Sequence, residues 1–345
     1  MATMRVSVLR GVGDVAVEER PVPEPAPGEV LVEIGSVGVC GSDVHYFEHG
    51  RIGPYVVDAP LVLGHEAGGV VAGVGPGVTS LRVGQRVSIE PGVPCRSCAQ
   101  CLAGRYNLCP DVRFFATPPY DGAFSEYVAM PVAFVHPIPE GISDDAAGLL
   151  EPLSVGVWAC RRAEVSPGAS VLVTGAGPIG LIAAQTARAY GADTVTVTDV
   201  NPHRLALAER LGLGVVDVGS TSLADAGLEP SVLLECSGNA RATWDAVSTV
   251  SRAGKVVLVG MGGDEVRLPL SYVQDRELVV TGAFRYANTW PTAISLAAAG
   301  RVDLDAMVTG HYGLAEVESA LTAARSDPTV VKAIVRPRDT AYRTP

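Results

Sequence analysis

Positive charge is scarce in this chain. Its 345 residues carry 26 Lys+Arg against 37 Asp+Glu, a formal net charge of −11. That balance speaks against general binding to a nucleic-acid backbone, which needs a basic surface. Long apolar runs are missing as well: Arg, Asp or another polar residue interrupts every candidate, so no segment is long enough to cross a bilayer. No internal repeat or low-complexity tract is visible. No signal peptide precedes the cysteines; Met1 to Arg10 runs straight into an alternating strand pattern through Val6 and Val8. The expectation is a cytoplasmic protein with neither a nucleic-acid nor a membrane partner.

What is present is a globular composition, 48% hydrophobic and 18% charged, in a length that suits two domains with real cores. The first part reads as β-rich. Short Val/Ile segments, Val30 to Ile34, Gly68 to Val74, Arg86 to Glu90 and Ser125 to Met130, alternate with Gly and Pro, and Pro21 to Gly28 reads as a loop. This suits a small antiparallel barrel or sandwich. The pattern changes near Glu151. One helix is expected over Ala146 to Arg161, followed by a turn at Ser166-Pro167-Gly168. Strands (170–174, 194–198, 232–236, 255–260, 278–281) then alternate with helices over 177–190 and 202–211, which means a doubly wound parallel sheet. After Phe284 one Ala-rich helix (290–299) and one strand (329–335) are expected, with the tail returning to the first domain. The fold class is therefore α/β.

Gly175-Ala176-Gly177-Pro178-Ile179-Gly180 is a GxGxxG motif between a strand and a helix, the context that gives it meaning. Gly175 permits the tight turn, Gly177 lets a pyrophosphate approach the backbone, and Gly180 lets the helix pack on the sheet. The free N–H groups and dipole of the helix hold phosphates without Lys or Arg. Asp199 ends the next strand. A carboxylate there accepts from ribose hydroxyls and repels a 2′-phosphate, favouring NAD over NADP; it could also cap the helix at Pro202. Arg204, just beyond, could stack on adenine or reach a phosphate.

Seven cysteines are present, and their spacing suits a metal better than disulfides. Cys95, Cys98, Cys101 and Cys109 form a Cys-x2-Cys-x2-Cys-x7-Cys run that can close on one tetrahedral zinc. Cys160 and Cys236 lie outside it and are expected to pack in the interior. A second constellation is Cys40, His65-Glu66 and Glu151. A thiolate, an imidazole and one or two carboxylates make a three-ligand zinc site with an open position, where the ion acts as a Lewis acid on a bound alcohol. Taken singly, each has a bland alternative: Cys40 as core packing, His65 and Glu66 as surface residues, Glu151 as a helix cap or ion-pair partner.

Read together, Cys40-Gly41-Ser42-Asp43-Val44-His45-Tyr46, Gly50-Arg51-Ile52-Gly53, Val62-Leu63-Gly64-His65-Glu66, Gly104-Arg105-Tyr106-Asn107-Leu108, Ala116-Thr117-Pro118-Pro119, Leu150-Glu151-Pro152-Leu153-Ser154-Val155-Gly156 and Phe284-Arg285-Tyr286-Ala287-Asn288-Thr289-Trp290-Pro291 carry a resemblance over nearly the whole chain. The chain resembles the zinc-containing medium-chain dehydrogenases, and within them the sorbitol (polyol) dehydrogenase branch. The resemblance implies a GroES-like catalytic domain over 1–152, with a C-terminal return over 286–345, and an NAD-binding Rossmann domain over 153–285. It implies a catalytic zinc on Cys40, His65 and Glu66, with Glu151 holding the bound water or exchanging as ligand; the wider family's alcohol dehydrogenases place a cysteine where this chain has Glu151. It implies polyol contacts from Tyr46, Glu151, Arg285 and Tyr286, with Phe114 and Thr117 lining the same pocket. Implied coenzyme contacts are Ile179, Asp199, Arg204, Val259, Gly260, Met261, Ala283, Phe284 and Arg285. The four-cysteine lobe resembles the family's structural zinc lobe, which some sorbitol dehydrogenases lack.

The implied reaction oxidises a secondary alcohol of a small-molecule polyol to a ketose as NAD becomes NADH, the proton leaving through Glu151 or through Ser42 and His45. Alternatives within the fold are xylitol, L-arabinitol, a tetritol, butanediol or threonine as substrate. An alternative of another class is a non-catalytic NAD-sensing or structural protein. The family suggests a homotetramer.

Overall fold

The computed structural model describes residues 2–263 and 265–338. The chain falls into two compact units: residues up to Glu151 together with those from Leu304 on, and Pro152–Asp303.

In the first unit the organising strand is Glu29–Gly38. One edge pairs antiparallel with Glu66–Val74, setting Val30 opposite Val74 and Gly38 opposite Glu66. The other edge pairs first with Tyr127–Pro131, through Val32 opposite Val128, and then with Lys332–Arg336, through Val37 opposite Val335. Two register shifts, at Leu31/Val32 and Ile34/Ser36, are where the pairing accommodates extra residues, and such bulges bend and twist a strand. The alternating Val30, Val32 and Ile34 are fully buried and pack with Val71, Val87, Ile89 and Phe124; each such side chain contributes roughly 1.5–3 kcal/mol by leaving water. The C-terminal strand Lys332–Arg336 thus enters the sheet of the N-terminal half, as expected of the tail. It pairs parallel with Val308–Gly313 across the helix Val317–Ser326. That strand and helix lie in the stretch where only one helix and one strand were expected.

The second unit holds a six-stranded sheet in the order 214–217, 194–199, 170–174, 232–235, 255–258, 279–282, every pair parallel. Numbered along the unit this is 3-2-1-4-5-6, and the direction of winding reverses between Ser170–Thr174 and Val232–Glu235, the place where open α/β sheets bind ligands. Among the described residues no helix is long and apolar enough to cross a membrane.

Two expectations need correction. The helix expected over Ala146 to Arg161 is two helices, Asp144–Gly148 and Leu150–Arg162, with Leu149 between them. Pro152 has no N–H to donate to Gly148, so the first helix cannot run through it, whereas a proline fits the first turn of a new helix. The return to the first unit begins at Leu304 rather than 286. The helix Trp290–Ala298 stays with the second unit: Arg161 donates to the Asn288 carbonyl and to Thr292 Oγ1, both at 2.8 Å, and the N–H of Asp303 donates to Gln185 Oε1 at 2.8 Å.

Candidate active site

Cys40 comes one residue, Val39, after the strand Glu29–Gly38 and stands at the N-cap of the helix Gly41–His49. His65 directly precedes the strand Glu66–Val74. The register that sets Gly38 opposite Glu66 brings both ends together, so one Cys40 Sγ, one His65 nitrogen and one Glu66 oxygen lie within 4.8 Å of one another. Gly38 has no freedom to be anything larger: a Cβ there would fall 2.0 Å from Glu66 Oε2. Gly64 takes a left-handed φ of +86° against the Phe124 ring, which turns the chain into His65.

Behind the imidazole stands Asp43, fully buried, its Oδ1 3.6 Å from His65 Nδ1. Asp43 also accepts from the N–H of Gly64 at 2.9 Å and of Cys40 at 3.0 Å, so one carboxylate fixes both chain segments. Burial by itself would raise the Asp43 pKa, yet His65 and these two N–H groups hold it below the usual carboxylate value. Burial disfavours a charged imidazole, yet Asp43 and then Cys40 lift the His65 pKa well above the ordinary one. The surroundings draw positive charge to this spot, and a divalent ion meets the same field as a proton. Thiolate, imidazole and carboxylate with a carboxylate behind the imidazole are a donor set that fits zinc.

Glu66 is also paired with buried Lys332, whose Nζ lies 2.7 Å from Oε1 and 2.6 Å from Oε2. Glu151 is buried in the first turn of its helix, outside the three-residue group. Phe114 is buried with its ring centroid 5.7 Å from that of His65. Tyr46 is buried and Thr117 half-buried in the same unit. Ser42 is half-buried and His45 exposed, both on the helix that Cys40 caps, where the His45 ring meets His49 edge-on at 4.6 Å. Arg285 and Tyr286 belong to the second unit; Arg285 has a left-handed φ of +51° and lies over the Phe284 ring, and Tyr286 is buried against Trp290.

The sulfurs of Cys95, Cys98, Cys101 and Cys109 also lie within 4.8 Å of one another. Cys95 and Cys101 Sγ are 3.9 Å apart, close to the roughly 3.8 Å that a tetrahedral ion with 2.3 Å bonds demands. Backbone N–H groups of Cys95, Cys98 and Cys101 donate to the sulfurs of Cys109, Cys95 and Cys98. N–H donors from Ser97 and Cys98 lower the Cys95 pKa to about 6. Burial, then Cys98, raises that of Cys101 to about 12. The lobe fits a closed zinc. Of the remaining cysteines, Cys160 is buried as expected, while Cys236, just past the end of the interior strand Val232–Glu235, is half-buried.

In the second unit Gly175 turns with φ +83° between the strand Ser170–Thr174 and the helix Pro178–Ala189, which Gly177 caps. A Cβ on Gly180 would fall 1.8 Å from the Gly175 carbonyl, whereas one on Gly177 would meet nothing within 4 Å. The glycine expected to face a pyrophosphate is the one with open space, at a helix start that includes Pro178 and Ile179 and has no acid in its first turn. The Asp199 carboxylate accepts from Ala176 N–H at 2.7 Å and from the N–H groups of Val200 and Asn201. The cap of the next helix is Asn201, whose Oδ1 takes the N–H groups of His203 and Arg204, so Asp199 does not fill that role. Buried Arg204 Nε has no partner among the described residues. Val259 and Gly260 N–H both donate to the Glu235 carbonyl at 2.8 Å, and Ala283 N–H to the Leu258 carbonyl. Met261 and Phe284 are exposed. These features fit a dinucleotide.

Sequence reasoning assigned no role to Asp43 or Lys332. Each carried a signal: an acid three residues after Cys40, and a lysine inside the apolar run Val330-Val331-Lys332-Ala333-Ile334-Val335.

Comparison with known proteins agrees with this geometry. The profile of the alcohol dehydrogenase GroES-like domain matches residues 26–140, and that of the zinc-binding dehydrogenases residues 178–299. The chain is 42% identical over 331 residues to a sorbitol dehydrogenase of Bacillus subtilis (strain 168), covering 93% of each chain. It is 42% identical over 325 residues to the sorbitol dehydrogenase of Homo sapiens, covering 92% of this chain and 90% of the other. A solved structure of an oxidoreductase/dehydrogenase of unknown specificity from Escherichia coli superimposes with a TM-score of 0.94 at 34% identity, covering 98% of this chain and all of that one. The chain belongs to the zinc-containing medium-chain dehydrogenases, in their sorbitol dehydrogenase branch.

Proposed function

We propose that this protein oxidises a secondary alcohol of a polyol to a ketose with zinc and NAD. The observation that carries the reading is the convergence of Cys40, His65 and Glu66, with Asp43 behind His65, in a chain 42% identical to proteins named sorbitol dehydrogenase. When bound, zinc supplies the Lewis acidity that makes an alcohol hydroxyl acidic, and NAD takes up the hydride.

The chain's residues would divide the remaining work. Cys40, His65 and Glu66 hold the ion, and Asp43 fixes the imidazole so that Nε2 faces it. Lys332 offsets one negative charge of that set. Glu151, buried and acidic, is the proposed proton acceptor, with Ser42 and exposed His45 as a route to solvent. The four cysteines hold a second zinc that stiffens their lobe. In the second unit the helix after Gly177 takes the pyrophosphate and Asp199 the ribose hydroxyls, which favours NAD over NADP. Tyr46, Phe114, Thr117, Arg285 and Tyr286 are proposed substrate contacts.

The reading extends to a homotetramer, testable by sedimentation; the strands 214–217 and 279–282 each leave one edge of the second unit's sheet unpaired among the described residues. It also extends to a cytoplasmic site, which seven unbridged cysteines fit. The deciding experiment is a survey of zinc-replete protein with C4 to C6 polyols and NAD or NADP. Reduction of NAD with at least one polyol, above that with butanediol or threonine, is the expected result. No turnover of any polyol with either coenzyme would overturn the proposal.

A further inference from the structure

The buried acid Glu235 ends the strand Val232–Glu235, at the point where the sheet's winding reverses. It forms no ion pair among the described residues. Its Oε1 instead accepts from Thr174 Oγ1 at 3.1 Å, Ser237 N–H at 3.0 Å, Gly238 N–H at 3.1 Å and Ser237 Oγ. Its Oε2 also faces Gly238 N–H, at 3.3 Å. Its backbone carbonyl takes the N–H groups of Val259 and Gly260. One residue therefore ties together the carboxyl ends of three adjacent strands.

The loops leaving those ends touch backbone to backbone. A Cβ on Gly175 would lie 3.0 Å from Ser237 Cα, one on Gly260 2.4 Å from Gly238 N, and one on Gly262 2.1 Å from the Gly238 carbonyl. Gly238 itself takes φ +63° with Met261 O only 2.1 Å from where its Cβ would be. The Gly175 turn is thus wedged by the Ser237–Gly238 loop, which is wedged in turn by the 260–262 loop. A carboxylate that takes four donors at its centre sets where all three stand.

We propose that Glu235 is the positioning residue of the coenzyme site, fixing the Ser237–Gly238 loop as a wall beside the Gly175 turn. The inference rests on the reading of the second unit as the NAD site. It gives a physical reason for an acid close to where a pyrophosphate binds: the donors saturate its charge, so it organises the loops without facing the ligand.

The test compares the full-length, zinc-replete protein with Glu235→Gln and Glu235→Ala. NADH affinity is measured by calorimetry, alongside zinc content and the separate KM for NAD and kcat. Glutamine keeps the shape but turns an NH2 toward the Gly238 N–H, and alanine removes every acceptor. NADH binding should weaken about tenfold to a hundredfold, as small misplacements of a binding site do, more in the alanine variant. The loss should fall on KM for NAD rather than kcat, with zinc content unchanged. If the unaltered protein binds no NADH, the NAD reading itself fails. If it binds and the glutamine variant binds equally well, only the role of Glu235 fails. A glutamine variant that does not fold, or that loses kcat and zinc in proportion, would show a residue of the general fold and overturn the proposal as well.

Discussion

Lys332 Nζ sits 2.6 Å and 2.7 Å from the two carboxylate oxygens of Glu66, and its remaining proton goes to the Val39 carbonyl at 2.7 Å. Both side chains are almost wholly buried. Burial disfavours the ammonium, but Glu66, then Cys40, hold the Lys332 pKa above the ordinary lysine value. The C-terminal strand therefore brings a permanent cation to the edge of the metal centre. Removing one partner of such a pair strands the other. Lys332→Met should lower stability by about 3–5 kcal/mol. A bound divalent ion near Glu66 should recover part of this, so the fall in thermal midpoint is expected to be larger after chelation than with zinc present. Equal falls in both states would contradict the assigned geometry.

Cys40→Ser and His65→Ala each remove one donor from the three-residue group. Each variant should carry one zinc per chain where the parent, with its two groups, carries two. Turnover should be lost while NADH still binds, since the proposed coenzyme residues lie on the other unit. Asp43→Asn keeps the ligands and loses the charge behind His65, so zinc affinity at this site should fall about 10–100-fold. Metal analysis and NADH titration check all three.

The cysteine lobe makes its own prediction. With zinc stripped, the Cys95 thiol, lowered to about 6 by N–H donors, is largely thiolate at neutral pH, while Cys101, raised to about 12, stays protonated. The thiolate is the nucleophile, so limited alkylation near pH 7 should mark Cys95 before Cys101, and zinc should protect both. Peptide mapping that found Cys101 marked first would be the contrary result.

Much of this site was legible because its chemistry is local in sequence. The cysteine lobe spans fifteen residues, and GxGxxG is contiguous. The proposed catalytic donors could be named from Cys40 and His65-Glu66 because thiolate, imidazole and carboxylate together suit a metal and a nucleotide motif lies downstream. What stayed hidden depends on pairing across long separations. Lys332 reaches Glu66 only because the strand Lys332–Arg336 lies beside Glu29–Gly38, with a sequence separation of 293 between Lys332 and the Val39 whose carbonyl it binds. Glu235 looks like any acid at a strand end until its neighbours Thr174 and Gly238 are seen around it. The helix Val317–Ser326 did carry a pattern, with Val317, Ala320, Leu321 and Ala323 buried at helical spacing, but small alanines make such a stripe faint. Pro152 was the sign that one long helix had to be two.

Asp199 bonds the Ala176 N–H as well as facing the proposed ribose position, so it serves turn and coenzyme together. Asp199→Ala should raise KM for NAD about tenfold to a hundredfold, the range for losing hydrogen bonds to a charged group. The penalty against NADP should shrink, because the charge that repels a 2′-phosphate is gone. Kinetics with both coenzymes would show it; an unchanged preference would place the discrimination elsewhere, with Arg204 the next residue to test.

The chain has only two lysines, Lys255 and Lys332. With Lys332 enclosed by Glu66 and the Val39 carbonyl, Lys255, partly solvent-accessible on the parallel sheet beside Glu164, is the side-chain amine left for reagents. Amine-directed coupling to a dye or a support would then find this one side chain besides the chain's α-amine, which reacts at lower pH, so coupling confined to the side chain needs the α-amine blocked first; every proposed metal ligand is left untouched.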